Sequence, residues 1–133
     1  MNIAIETPLQ TPTDQLAAWV ENLNACLAQR DLDGALELFA DECYWRDLLL
    51  FSWNLVTLEG KPAIRDMLET RLDQTRPEQW KVEGEATLNN GVLEGWISLE
   101  TEAARGKGYV RLKEGLCWTL LTTMRELKGF EEP

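Results

Sequence analysis

Trp80-Lys81-Val82-Glu83-Gly84-Glu85-Ala86-Thr87-Leu88-Asn89-Asn90-Gly91-Val92-Leu93-Glu94-Gly95-Trp96-Ile97-Ser98-Leu99-Glu100-Thr101-Glu102 is the stretch on which the fold turns. Trp80, Val82, Ala86 and Leu88 alternate with polar residues, the period of a half-buried strand. Asn89-Asn90-Gly91 then offers residues that accept positive φ, a tight-turn signal. Val92–Glu102 is therefore expected as the antiparallel return strand. Downstream, Arg105-Gly106-Lys107-Gly108 predicts a second turn and Tyr109–Lys113 a short strand. Glu114-Gly115 predicts a third turn, leading into a last strand over Leu116–Leu127.

Upstream the period changes. Thr11-Pro12-Thr13-Asp14 is a helix start, with Thr11 as N-cap, Pro12 at N1 and Asp14 closing a capping box. Leu16, Val20, Leu23 and Leu27 follow at helical spacing. Asp31 caps a second, shorter helix with Leu32, Ala35, Leu36 and Phe39 on one face. Cys43-Tyr44-Trp45-Arg46-Asp47 has strand character, and Leu48–Leu58 is apolar but irregular. Gly60-Lys61-Pro62 opens a third helix with Ile64, Met67, Leu68 and Leu72 on its apolar face, and Arg76-Pro77 stops it. Three helices followed mainly by antiparallel strands make an α+β domain. Residues 1–133 are expected to form one domain, with 1–10 as a loose N-terminal arm.

The two faces of the late strands both carry apolar residues. On Val92–Glu102, Val92 and Trp96 oppose Leu93, Ile97 and Leu99. On Leu116–Leu127, strict alternation puts Trp118, Leu120 and Met124 on one face and Cys117, Leu121 and Leu127 on the other. A sheet with one wet face shows cleaner alternation, so the second face is expected to meet a partner subunit.

Charge and composition exclude several functions. The 133 residues hold 13 basic and 23 acidic side chains, a net charge of −10. Residues 1–60 contribute 2 basic and 10 acidic groups. Such a chain repels phosphate backbones and anionic lipid, so neither nucleic acid nor membrane is an expected partner. No apolar run approaches the roughly 20 residues of a membrane span, and the N-terminus lacks a signal-peptide pattern. With no histidine, triads, Cys–His pairs and His-ligated metals fall away within this chain. Cys26, Cys43 and Cys117 lie in apolar-patterned segments without metal-knuckle spacing and are core residues of a reducing, cytoplasmic setting. Glu83, Glu85, Glu100 and Glu102 form a solvated face. No metal site and no cofactor are expected.

Asp31-Leu32-Asp33-Gly34, Leu38-Phe39-Ala40-Asp41, the aromatic strand ending at Asp47, and Gly60 followed by Ala63-Ile64-Arg65 together resemble the nuclear transport factor 2-like superfamily. Within it they are similar to the SnoaL-like, ketosteroid-isomerase-like group, over about residues 14–127. The resemblance implies a cone, a curved antiparallel sheet packed on three helices (cystatin-like), with a pocket at the open end and a homodimer through the outer sheet face. Tyr44–Leu49, Trp53-Asn54 and Gly60–Arg65, then Trp118–Thr123 and Glu126–Gly129, resemble the N-terminal SnoaL-like domain of flavin-dependent monooxygenase-like proteins. No G-x-G-x-x-G is present, so no flavin or nicotinamide site of that kind is carried over; a separate flavoprotein is the implied partner.

Aligned without a gap, Asp31–Asp47 runs parallel to the isomerase segment that ends in its catalytic base, so the resemblance makes Asp47 the candidate base. A carboxylate there, inside an apolar pocket, would shuttle a proton beside a carbonyl. Leu23 stands where the isomerase has its oxyanion-donating tyrosine, and Leu116–Met124 lacks the second, aspartate donor. Losing one such donor costs about 3–4 kcal/mol of transition-state stabilisation. Tyr44, Trp45, Trp53, Asn54 and Trp118 are the candidate ligand-binding residues, the indoles and the phenol being donors. Two functions are expected from this: a dimeric accessory or binding domain for an apolar small molecule, and, as alternative, an isomerase-, cyclase- or dehydratase-type enzyme with Asp47 as base.

Overall fold

The structure is a computed structural model and describes residues 11–129; the expected arm over 1–10 lies outside the described residues. Helix α1 is Pro12–Ala28, with the capping box formed by Thr11 and Asp14 as the sequence predicts. Helix α2, Leu32–Leu36, is capped by the Asp31 carboxylate on Gly34 N–H. It is shorter than its apolar face suggests. Phe39 leaves the helix and starts strand β1, Phe39–Leu48, whereas the strand was expected to begin at Cys43. Strand β2, Leu55–Glu59, follows an irregular loop, and helix α3 spans Gly60–Thr75. Arg76 ends α3 in the left-handed conformation, φ 47°. Strands β3 (Glu78–Asn89), β4 (Val92–Glu100), β5 (Ala104–Lys113) and β6 (Leu116–Leu127) follow.

The six strands form one sheet in the order β2-β1-β6-β5-β4-β3. All neighbours are antiparallel except β1 and β6, which run parallel. The helices cover one face, and the core lies between. Leu16, Leu23, Phe39, Trp45, Ile64, Leu68, Ile97 and Leu120 are each 0–1% exposed there. Among the described residues no helix is long and apolar enough to cross a membrane.

Two expectations are corrected by backbone detail. Arg105–Gly108 is strand, and the turn lies at 101–103. The glycines there answer to close packing. A Cβ on Gly106 would stand 2.5 Å from Leu50 Cδ2, and one on Gly108 2.7 Å from the Leu121 carbonyl oxygen. The strict alternation along β6 also fails. Leu112 pairs with Cys117 but Arg111 with Thr119, so Trp118 is an extra residue; Arg105 pairs with Glu126 but Gly106 with Met124, so Arg125 is another. Each bulge reverses the parity of the residues beyond it. Cys117, Leu120, Thr122, Met124 and Leu127 thus all turn towards the helices. The outer face of β4, β5 and β6 keeps Leu121, Tyr109, Val92 and Trp96 among its apolar residues, with Trp96 43% exposed.

Candidate functional site

Alternation along β1 sends Cys43, Trp45 and Asp47 inward and Tyr44 and Arg46 outward. Asp47 is fully buried. Its carboxylate accepts hydrogen bonds from Phe51 N–H (2.9 Å to Oδ2), Ser52 N–H (2.8 Å), Ser52 Oγ (2.8 Å) and Thr122 Oγ1 (2.6 Å). Trp45 Nε1 donates to the same Thr122 hydroxyl at 2.8 Å. A buried carboxylate needs such donors in place of water, and here the chain supplies four.

The donors come mostly from the loop at residues 49–54. Its ends are tied by Leu49 N–H on the Asn54 carbonyl, and both Leu49 (φ 70°) and Trp53 (φ 61°) take left-handed backbone. Non-glycine residues there cost about 1–2 kcal/mol each, which the Asp47 bonds and apolar burial offset. Arg71 donates to the Phe51 and Ser52 carbonyls from the other side. The loop therefore drives Leu50 and Phe51 into the cone, where they are 1% and 0% exposed. Phe51 meets Trp45 edge-on at 4.9 Å, and Trp45 stacks on Phe39 at 6.1 Å. Trp45 and Phe51, which flank Asp47 in this network, are themselves fully buried aromatic residues.

Of the other candidates, Trp45 joins Asp47 through Thr122 and Asn54 joins it through Ser52 Oγ. Trp53 is 45% exposed on the loop. Asn54 N–H donates to Ser52 Oγ on that loop. Trp118 sits at the β6 bulge under Lys113, whose Nζ lies 3.6 Å from the ring centroid; four residues of strand, about 13 Å, separate it from Thr122. Tyr44 is on the outer face and donates to Glu42. Leu23 is fully buried on the inner side.

Of the clefts among the described residues, two are built around outward or helix-facing apolar side chains. The outer one, about 610 Å³, is walled by Tyr44, Arg46, Thr119, Leu121, Tyr109 and Trp96, with Arg111 and Thr57 at its edges. Tyr109 OH donates to Glu94 at 2.6 Å, which with the Arg111 guanidinium holds the Glu94 carboxyl below its usual range, while burial and that same carboxylate push the Tyr109 phenol up. Arg46 has no hydrogen-bond or ion-pair partner among the described residues. The second cleft, about 440 Å³, opens between α1 and the β3–β4 and β5–β6 turns. Ala18, Trp19, Leu38, Leu88, Leu93 and Leu112 form its apolar walls, and Gln15, Asn22 and Glu114 its rim. Leu88 is 54% exposed inside it. Sequence reasoning missed this cleft because its walls come from distant segments; the one local signal was an apolar residue, Leu88, directly before a turn.

Burial raises the Cys117 thiol well above its usual value and raises Cys43 as well, so neither is poised as a nucleophile. No cluster of metal-binding side chains occurs among the described residues.

No family model and no curated protein matches the chain. Solved structures do. A domain of unknown function with a cystatin-like fold from Nostoc punctiforme has TM-score 0.70 at 14% identity, covering 89% of this chain and 80% of that one. A Mycobacterium tuberculosis protein in complex with estradiol-17beta-hemisuccinate has TM-score 0.59 at 19% identity, covering 85% and 93%. A candidate ketosteroid isomerase from Kribbella flavida has TM-score 0.57 at 18% identity, covering 92% and 85%. The fold is thus cystatin-like and nuclear transport factor 2-like, an unclosed curved sheet over three helices.

Proposed function

We propose that this protein is a non-catalytic, homodimeric domain that binds an apolar small molecule in the cleft beside α1. The carrying observation is that cleft. Six apolar side chains converge on about 440 Å³, within the usual size range of small-molecule sites, beside the polar residues Gln15, Asn22 and Glu114. The Asp47 carboxylate, engaged by four donors of its own chain, acts in this reading as the anchor of the loop at 49–54. The steroid held by the Mycobacterium relative suggests the probe. Estradiol-17beta-hemisuccinate titrated into the protein should change tryptophan emission saturably, because Trp19 is in the wall. Leu88→Asp, at a half-exposed site that the fold tolerates, should weaken binding at least ~10-fold. No saturable binding of the steroid overturns the reading, and binding indifferent to Leu88→Asp moves the ligand elsewhere.

The enzyme reading keeps Asp47 as base, and a turnover that Asp47→Asn abolishes in a still-folded protein would favour it. The accessory role beside a separate flavoprotein is the finer proposal. It is supported by the Tyr44–Leu49, Trp118–Thr123 and Glu126–Gly129 motifs, and co-elution with such a protein tests it. The homodimer is proposed through the outer sheet face, where Trp96, Tyr109 and Leu121 lie together in the outer cleft.

A further inference from the structure

Helix α1 has two working faces. Leu16, Val20, Leu23 and Leu27 point into the core, each 0–4% exposed. Gln15, Ala18 and Asn22 share a second, exposed face at helical spacing, with the buried Trp19 between the two. That second face is one side of the cleft of about 440 Å³. Two polar ties fix the helix there. Thr13 Oγ1 accepts a hydrogen bond from Ala86 N–H at 3.0 Å, and Trp19 Nε1 donates to the Leu38 carbonyl at 2.9 Å. Cys117 N–H donates to the same carbonyl at 2.8 Å. The indole N–H thus has its acceptor and the carbonyl oxygen both its donors. What the buried lining offers a ligand is the apolar surface of Trp19, Leu93 and Leu112, the two leucines being paired across β4 and β5. Opposite the helix, Gly91 and Gly115 have no neighbour within 4 Å of where a Cβ would stand, so the turns leave the cleft open.

We infer that the ligand of this cleft is an uncharged, elongated, rigid apolar molecule with a hydrogen-bonding group at each end, lying along α1 between Gln15 and Asn22. This rests on the cleft-binding reading above and adds the chemistry of the ligand to it. The two carboxamides stand two helical turns apart, about 10.5 Å along the axis. Each group offers both a donor and an acceptor. The Asn22 carboxamide has no hydrogen-bond partner among the described residues. Ala18 and Trp19 lie between the amides, so the middle of a molecule that spans them meets apolar surface. A rigid body of that length has little rotational freedom to lose on binding, whereas a flexible chain has much.

The charge of the ligand follows from the same lining. Glu114 is the one charged residue in it, and no cation lines the cleft. An anionic ligand meets like charge there without a counter-ion, in a chain of net charge −10. An uncharged hydroxyl or carbonyl meets no such repulsion and still satisfies an amide.

The test is calorimetric titration with three biphenyls, with circular dichroism to verify the fold of each variant. p,p′-Biphenol has a hydroxyl at each end of a rigid body of comparable length, p-phenylphenol lacks one of them, and p-phenylbenzoate has a carboxylate in place of the single hydroxyl. The biphenol should bind at least ~3-fold more tightly than the phenol, the scale of one net hydrogen bond. The phenol should bind at least ~3-fold more tightly than the benzoate, the scale of one exposed charge contact. In Gln15→Leu and in Asn22→Leu the gain from the second hydroxyl should vanish, because the remaining amide serves one hydroxyl. Glu114→Gln should narrow the deficit of the benzoate. If neither the biphenyls nor the estradiol ester binds, the cleft-binding reading itself falls. If the ester binds and the biphenyls do not, or bind with equal affinity, the cleft stands and this choice of ligand is overturned. A second hydroxyl that keeps its gain in both variants, or a benzoate that binds more tightly than the phenol, overturns it as well.

Discussion

Alternate residues of β1 meet opposite fates. Asp47, facing inward, has its carboxylate engaged by Phe51, Ser52 and Thr122, and the loop it holds closes over it. Arg46, one residue earlier, faces outward into an open cleft with no partner among the described residues. Both are the kind of residue that marks a site when met in a sequence. What separates them is whether the chain itself satisfies their hydrogen-bonding capacity. A polar group satisfied internally is part of the scaffold; an unsatisfied one at the surface is available to something else.

The comparison is broken most directly by truncating each side chain. Asp47→Ala leaves four donors facing an apolar void and should cost about 3–5 kcal/mol. Asp47→Asn keeps the shape but replaces an acceptor by a donor and should cost about 1–3 kcal/mol. Arg46→Ala should change the folding stability of the single chain by no more than about 0.5 kcal/mol, as exposed substitutions do. Urea denaturation measures all three, and equal losses at 46 and 47 would dissolve the distinction.

The fit of the loop sharpens the inner half. Gly106→Ala would bring a methyl group against Leu50 Cδ2 and the Thr123 carbonyl, at 2.5 and 2.9 Å before relaxation. Leu50 must shift out of its seat, and a loss of about 1–3 kcal/mol is expected. Thermal melting reads it; an unchanged midpoint would mean that the loop yields freely.

The smallest effect belongs to the outer half. Glu94 titrates below its usual range chiefly because Tyr109 OH donates to it. A carboxyl lowered by folding contributes stability above its unfolded pKa and loses it as pH falls through the folded one. Tyr109→Phe removes the main cause, so Glu94 should titrate nearer its ordinary value and its share of the acid loss should shrink. Carboxylate NMR titration shows this directly. An unmoved Glu94 would mean that Arg111 alone sets its charge.

Much of the fold was readable in order along the chain, because its signals are local. Thr11-Pro12-Thr13-Asp14 names the start of α1, and Asn89-Asn90-Gly91 and Glu114-Gly115 name two turns, with Asn90, Gly91, Glu114 and Gly115 all at the positive φ those turns require. Gly106 and Gly108 misled because glycine serves close packing as well as turns, and the atoms they make room for, on Leu50 and Leu121, belong to other elements. The faces of β6 misled because a bulge is one uncounted residue, invisible until the strand is paired with β5.

For the site the division is sharper. Residue type and position along the strand already placed Asp47 beside Trp45 on alternate, same-facing positions, since a strand repeats every two residues. Whether that carboxylate stood free or engaged depended on Ser52 and Thr122, the latter 75 residues away in the chain. The cleft walled by Trp19, Leu38, Leu88, Leu93 and Leu112 likewise has no local pattern. Capping and turn chemistry act between residues a few positions apart, so the linear order contains them. Hydrogen-bond satisfaction, cavity shape and strand register are relations between segments distant in the chain, and they come into being when β1, β6 and the loop at 49–54 meet.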